Sequence, residues 1–298
     1  MRSDVAMNVV VTPTMVGQVV VSGILAGALY AMVALGLALI FGVMRVINVA
    51  HGTLLTLGAY VTFWWFHLLG VNPYVSLVAA MPLMFLLGML LQRFLVSRVV
   101  EAPELSSLLL TFGISIALVN GVQLAFTSDL RSVEFLTEAF VVGGIALSKS
   151  RLVSFAFAVV ITLVAYWFLQ RTKFGKAIRA TSQSPQMAMV CGINVRRVHL
   201  YCFGLASALA AAGGSLVAVM VAIQPEMGQV YTFKSFLVIV LGGAGNYPGA
   251  LLGGMLLGLV EQLSSLFLTT QLSEAVAYVL LVLILLLRPQ GLLGGRST

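Results

Sequence analysis

Charge is what this chain has least of: Asp, Glu, Lys and Arg make up only 8% of its 298 residues. A soluble domain carries about 25%, so water is excluded as the solvent for most of the surface. Cysteine is limited to Cys191 and Cys202, whose spacing fits neither a disulfide framework nor a thiolate metal site. Both are read as reduced spectators. No GxxxxGK[ST] run occurs, so the chain has no loop of its own to cradle ATP phosphates. No metal-ligand grouping or cofactor motif is found, and no cofactor is expected. A cleaved signal peptide is not expected either. Only Arg2 precedes the first apolar run, beside Asp4, and that run is too long for a signal core.

What the chain has is long apolar stretches. It is 60% hydrophobic, with a mean hydropathy of +1.09. About 20 apolar residues in helical form cross a hydrocarbon core roughly 30 Å thick, and a helix satisfies its backbone polar groups within its own segment. A transmembrane barrel would show short alternating segments instead. The expected fold is therefore an all-α, polytopic bundle, one transmembrane domain over 1–298. Spans are read at 16–43, 52–70, 74–96, 105–127, 152–170, 199–223, 249–268 and 273–288. A further apolar piece at 233–245 is too short for an ordinary crossing and ends in GGAGNYPG (242–249). This predicts eight to nine segments with a short broken or re-entrant helix near 233–248, a form tolerated only where protein or a water-filled cavity surrounds it.

The net charge of +7 does not point to nucleic acid, because the basic residues are scattered along loops. Their meaning is topological. The 171–198 loop holds Arg171, Lys173, Lys176, Arg179, Arg196 and Arg197 and no acid, which marks it as cytoplasmic. Counting back through the spans puts the N-terminus outside and the 128–151 segment on the extracytoplasmic side. Counting forward puts the tail, with Arg288 and Arg296, in the cytoplasm if 233–245 crosses. Within the loop, Ser184 suits a helix N-cap, Pro185 the first helical position and Gly192 the position after the C-terminus. The helix between them would show Met187, Met189 and Val190 to the cytoplasm. It would either dock in a partner's groove or lie on anionic headgroups.

Polar residues at membrane depth need a reason, since a central charge costs at least about 2.5–3.5 kcal/mol on insertion scales. Glu261 lies within a span beside Gln262, to be ion-paired or to line a solute pathway. Arg45, Asn48 and His51 fall in the turn between the first two spans, read as cytoplasmic. Arg45 reads as an anchor; Asn48 and His51 would cap broken helix ends or form an inner gate. Asn120 and Gln123 share one side of their helix. Asn246 sits in the glycine-rich break, where free N–H and C=O groups can meet a solute or turn chemistry alone explains the residue. Gly23, Gly27 and Ala31 form a small-residue stripe, read as internal packing. An intramembrane Ser–His enzyme would need Ser215 to meet His51, His67 or His199, which the topology disfavours.

Three stretches carry a resemblance: GALYAMVALGLALIFGVMRVINVAHGTLLTLGAY (27–60), FGKAIRATSQSPQMAMVCGINVRRV (174–198) and FKSFLVIVLGGAGNYPGALLGGMLLGLVE (233–261). Together they resemble the LivH-type permease subunits of bacterial ABC importers for branched-chain amino acids. The closely similar urea and short-amide permeases fit the same residues. The resemblance implies a multi-pass protein of the bacterial inner membrane that performs no chemistry itself. Its partners would be a second homologous permease, two cytosolic ABC ATPases and an extracytoplasmic solute-binding protein. The 171–198 loop would then be the coupling segment, with Ser184, Pro185, Met187, Ala188 and Gly192 as its contact and shaping residues. Asn48, Asn246 and Glu261 are the pathway candidates. A stand-alone channel or secondary transporter is the rival class, and it leaves the apolar cytoplasmic helix without a purpose.

Overall fold

The computed structural model describes residues 12–243 and 245–287. Arg2, Asp4, Arg288 and Arg296, used above for orientation, lie outside them. The described residues form helices α1 (Pro13–Met44), α2 (His51–Leu69), α3 (Leu77–Phe94), α4 (Glu104–Phe126), α5 (Lys149–Arg171), α6 (Lys173–Gln183), α7 (Pro185–Val190), α8 (Val195–Ala218), α9 (Gly228–Gly242), α10 (Tyr247–Ser264) and α11 (Thr270–Leu287). The protein is an all-α, multi-pass membrane protein, and each expected span appears as a helix within a few residues of its expected ends. α1, α3 with the turn that follows it, α4, α5 and α8 are each long and apolar enough to cross a membrane. α9 and α10 qualify only as a pair, bent by 118° at the break between them. α9 is the short helix expected near 233–248. It begins five residues earlier than the hydropathy suggested, at Gly228.

α1 is the axle of the bundle. Thr12 caps it through a bond from the Met15 N–H, Pro13 occupies its first turn, and it runs for 32 residues. At 1.5 Å per residue that is about 48 Å, longer than the hydrocarbon core it crosses. From Gly27 to Ile40 every residue is buried, mainly by α10 on one side and α8 on another. The Gly23, Gly27, Ala31 stripe packs against Gly254, Met255 and Gly258 of α10. A Cβ on Gly258 would lie 2.4 Å from the Gly23 carbonyl oxygen and 2.5 Å from the Gly27 nitrogen. The stripe is thus an internal seam where two backbones touch, as small-residue spacing permits when lipid supplies no hydrophobic drive.

The segment between α4 and α5, expected as the extracytoplasmic stretch 128–151, contains a β-hairpin. β1 (Ala139–Val142) pairs antiparallel with β2 (Ile145–Ser148), in register Ala139 with Ser148, around Gly143 and Gly144, both at positive φ. Gln18 of α1 grips β2 by donating to the Ala146 carbonyl (2.8 Å) and accepting from its N–H (2.7 Å). The hairpin therefore marks the end of the bundle where α1 begins. Beside it, the exposed Glu138 carboxyl is held below its usual range by a hydrogen bond from, and the charge of, Lys149. The opposite end carries α6 and α7.

Because the α1–α10 seam has no room for one added methyl, Gly258→Ala should destabilise the chain by about 1–3 kcal/mol, the usual range for overpacking. Gly113→Ala in α4, where a Cβ would meet nothing within 4 Å, should leave stability unchanged or slightly raised. Thermal unfolding of both variants in detergent checks this pair; equal melting temperatures would refute the seam.

Candidate functional site

Asn48 and His51 lie at the turn between α1 and α2, as expected, but the turn is buried. Arg45 closes α1 in the left-handed region (φ 54°), with its N–H bonded to Phe41 O, and it is exposed as an anchor should be. The chain then folds back into the bundle. His51 Nε2 lies 2.9 Å from the Val33 carbonyl oxygen, roughly three turns before the end of α1. Val46, Asn48, Ala50 and His51 are buried. The apolar letters around Asn48 hid this re-entry, because hydropathy cannot tell a buried loop from a helix end.

Non-helical backbone at this depth must find its partners in protein. Three hydroxyls supply them. The Ile47 N–H donates to Ser107 Oγ (3.2 Å). Thr111 Oγ1 donates to Ile47 O (2.8 Å) and accepts from the Val49 N–H (3.1 Å). From α9, Thr232 Oγ1 reaches Val49 O (3.3 Å) and accepts from the Gly52 N–H (2.9 Å). Sequence reasoning missed all three, since Ser and Thr in a span ordinarily bond their own helix. Their spacing in α4, Ser107 with Thr111 four residues on, was the available signal.

The starts of α2 and α9 meet at this point. A Cβ on Gly52 would sit 1.8 Å from Gly228 O, and one on Gly228 would sit 2.1 Å from Gly52 O. Neither helix start has a side-chain cap. Beside them Asn48 is fully buried, and neither its Oδ1 nor its Nδ2 has a hydrogen-bond partner in the structure; His51 Nδ1 lacks one too. An unmade bond on a buried polar group costs about 1–3 kcal/mol, so an unpaired amide here is an anomaly to be explained.

The other pathway candidates are engaged. Asn246 caps α10, its Oδ1 accepting from the Gly249 N–H (3.1 Å), as turn chemistry would have it. Glu261 Oε1 lies 2.7 Å from Lys234 Nζ of α9, and Lys234 also lies 3.3 Å from Glu274 of α11. Lys234 was not singled out in the sequence. A lone lysine in the apolar run FKSFLVIV was the signal for it. Of the two amides of α4, Asn120 is exposed and bonds back to Ile116 O of its own helix, whereas Gln123 reaches Glu226 (3.4 Å). Ser215 donates to Ala211 O and His51 Nε2 is held at Val33 O, so these two do not form a Ser–His pair.

At the other end of the site's neighbourhood, α7 forms as its punctuation predicts. Ser184 Oγ accepts from the Met187 N–H (3.3 Å) and Pro185 starts the helix. Gly192 takes φ 79° and its N–H bonds Met189 O (2.9 Å). Met187, Met189 and Val190 are 66%, 55% and 82% exposed, while Ala188 is 3% exposed. Ala188 thus seats the helix on the protein, and the apolar side chains around it point away. α6 ties this end to the bundle: Gly175 packs on the Leu169 carbonyl, and Arg179 donates to the carbonyl of Leu169 and the side chain of Gln170. A separate cavity of about 250 Å³ lies at the hairpin end, lined by Gln18, Ser22, Ser148, Ser150 and Arg151 among others.

Comparison with known proteins gives a consistent picture. Residues 19–285 match the family model described as branched-chain amino acid transport system, permease component. The chain is 32% identical over 288 residues to the high-affinity branched-chain amino acid transport system permease protein LivH of Escherichia coli (strain K12), covering 92% of this chain and 94% of that one. It is 31% identical to the corresponding protein BraD of Pseudomonas aeruginosa, covering 93% and 95%. It is 29% identical to a probable LivH permease of Methanocaldococcus jannaschii, covering 89% of each. No solved structure matches the chain.

If Thr111 carries the re-entrant backbone, Thr111→Val, which keeps the shape and removes the hydroxyl, should lower stability by about 1–3 kcal/mol by stranding two buried backbone groups. Thr127→Val, at the exposed end of α4, serves as the control. A melting curve in detergent showing the same small shift for both would refute the assignment.

Proposed function

This chain belongs to the family of permease components of branched-chain amino acid transport systems, and from that premise we propose that it forms half of the translocation pathway of an ATP-driven importer for branched-chain amino acids. The observation that carries the reading is the family match along nearly the whole chain. The energy would come from other subunits, since the sequence holds no phosphate-cradling loop of its own. In this reading two ABC ATPases sit beneath the membrane, a second homologous permease completes the pathway, and a solute-binding protein delivers substrate from outside. The protein sits in the bacterial inner membrane. Its α6/α7 end faces the cytoplasm, in keeping with the run of basic residues there, and its hairpin end and N-terminus face outward.

α7 is the coupling element. Its exposed Met187, Met189 and Val190 offer an adaptable apolar knob to a groove on the ATPase, while Ser184, Pro185, Ala188 and Gly192 fix its shape and seat. The pathway runs beside Asn48. A buried amide with both donor and acceptor free suits a zwitterion that offers both an ammonium and a carboxylate, and alternating access would bring the two together. Asn246 and Glu261 support the pathway walls through α10.

The first test is recovery of the tagged chain in mild detergent with its partners, followed by uptake of labelled leucine into proteoliposomes containing the recovered complex. Two ATPases and a second permease are expected; a chain recovered alone after crosslinking defeats the importer reading. Within that complex, Met187→Glu should abolish ATP-dependent uptake by weakening ATPase recovery more than tenfold, with the chain's own melting temperature unchanged. Asn48→Ala should raise the KM for leucine uptake roughly tenfold, the equivalent of one lost hydrogen bond to a charged group. Uptake kinetics equal to the parent's would remove Asn48 from the pathway.

A further inference from the structure

A second group of unpaired polar atoms lies at the hairpin end of the bundle. On α2, beyond His51, Tyr60 and Trp64 stand about one turn apart on the same face. Phe126, the last residue of α4, packs against both, its ring 5.4 Å from that of Tyr60 and 5.3 Å from that of Trp64. Arg131 closes the group from the segment after α4. Its guanidinium carbon stands 5.5 Å from the centre of the Phe63 ring and 5.7 Å from that of Trp64. The backbone beneath it is pinned in both directions: the Arg131 N–H donates to Ile223 O (3.0 Å), and the Ile223 N–H donates to Arg131 O (2.6 Å).

Three polar atoms of this group are buried without a hydrogen-bond partner: Tyr60 Oη, Trp64 Nε1 and Arg131 Nε. Tyr60 as a whole is 2% exposed. An indole or guanidinium N–H can only donate, so what the group lacks is an acceptor. The bond from Arg131 Nη2 to Phe126 O (3.1 Å) uses one corner of the guanidinium and closes the end of α4. The acid nearest in sequence does not serve the rest. Asp129 instead accepts from Thr127 Oγ1 (2.6 Å), and among the described residues Arg131 forms no salt bridge. A guanidinium held over two aromatic rings, beside two further donors, is a setting for a carboxylate, because charge-assisted bonds gain strength away from water.

We propose that Tyr60, Trp64 and Arg131 form a subsite for the carboxylate of an α-amino acid at the outer end of the pathway. The inference rests on the transport reading above, which supplies both the solute and the outward orientation of this end. The carboxylate accepts from Trp64 Nε1, Arg131 Nε and Tyr60 Oη, and the Phe63 and Phe126 rings beside them offer contact to an apolar side chain. Such a subsite reads the carboxylate and not the ammonium. It takes a carboxylic acid stripped of its amino group and rejects the amide of the same amino acid.

Tryptophan emission of the purified full chain in detergent, with no binding protein added, tests this. The chain has three tryptophans, and Trp65→Phe with Trp167→Phe leaves Trp64 as the reporter. Leucine and 4-methylpentanoate, which lacks the amino group, should each change the emission saturably. Leucinamide, which lacks the carboxylate, should not. Arg131→Gln, and Arg131→Lys, which keeps the charge but not Nε, should each weaken the leucine response about tenfold, the equivalent of one lost hydrogen bond to a charged group. Tyr60→Phe should weaken it by less. An equal response to leucinamide overturns the proposal without recourse to any further variant, and so does a leucine response unchanged in all three. Uptake of labelled leucine by the assembled complex while Trp64 stays silent overturns the subsite and leaves the importer standing. A carboxylate-specific Trp64 response in a chain whose complex takes up no leucine supports the subsite and counts against the importer.

Discussion

Everything in this fold depends on one constraint: within the bilayer, each backbone N–H and C=O must find its partner in protein. Along their length the described helices meet it by their own ladders. The passage from α1 to α2 cannot, because the chain leaves helical form after Met44 and turns back among buried side chains. Ser107, Thr111 and Thr232 stand in for water there, one hydroxyl each accepting or donating to residues 47–52. Those three side chains come from α4 and α9. The break is possible only once both helices are in place, so local conformation at 45–50 is a product of tertiary structure.

Close approach is the second requirement, and among the places where glycine supplies it two are unlike in kind. Along α1 and α10 it allows a long seam of backbone contact that builds the bundle's centre. At Gly52 and Gly228 it allows two helix starts to touch at a point. The first placement is structural and repeats at helical spacing. The second is a point contact, and it lies beside Asn48, whose amide is buried without a hydrogen-bond partner.

Much of the architecture was legible from local pattern. Hydropathy alone located the helices, though of the eight to nine segments expected five of the described helices, or six with the bent pair, are long and apolar enough to cross. α7 was legible to the residue: Ser184, Pro185 and Gly192 each act on neighbours within a few positions, and such chemistry is written in order along the chain. The three stretches that carried the family resemblance were confirmed by the match over 19–285. What stayed hidden was non-local. The re-entry of Asn48 and His51 rests on hydroxyls some 60 to 180 residues away in sequence. The partner of Glu261, on α9, lay beyond any periodicity argument, although Lys234 itself was visible as a charge in an apolar run. The hairpin had a local signal in Gly143–Gly144 between AFVV and IALS, which the polar character of the surrounding segment obscured.

The position of α1 also sets a timetable for assembly. Its principal partner α10 is translated about 200 residues later, and at 5–20 residues per second that separates the two by roughly 10–40 s. During that interval α1 must reside among lipid chains, with its glycine stripe uncovered. A helix destined for the centre of a protein thus has to be a stable membrane span in its own right. This accounts for its mean hydropathy of 2.4 in a window that is 83% buried in the finished bundle. α8, equally buried but surrounded on emergence by helices already inserted, manages with 1.6.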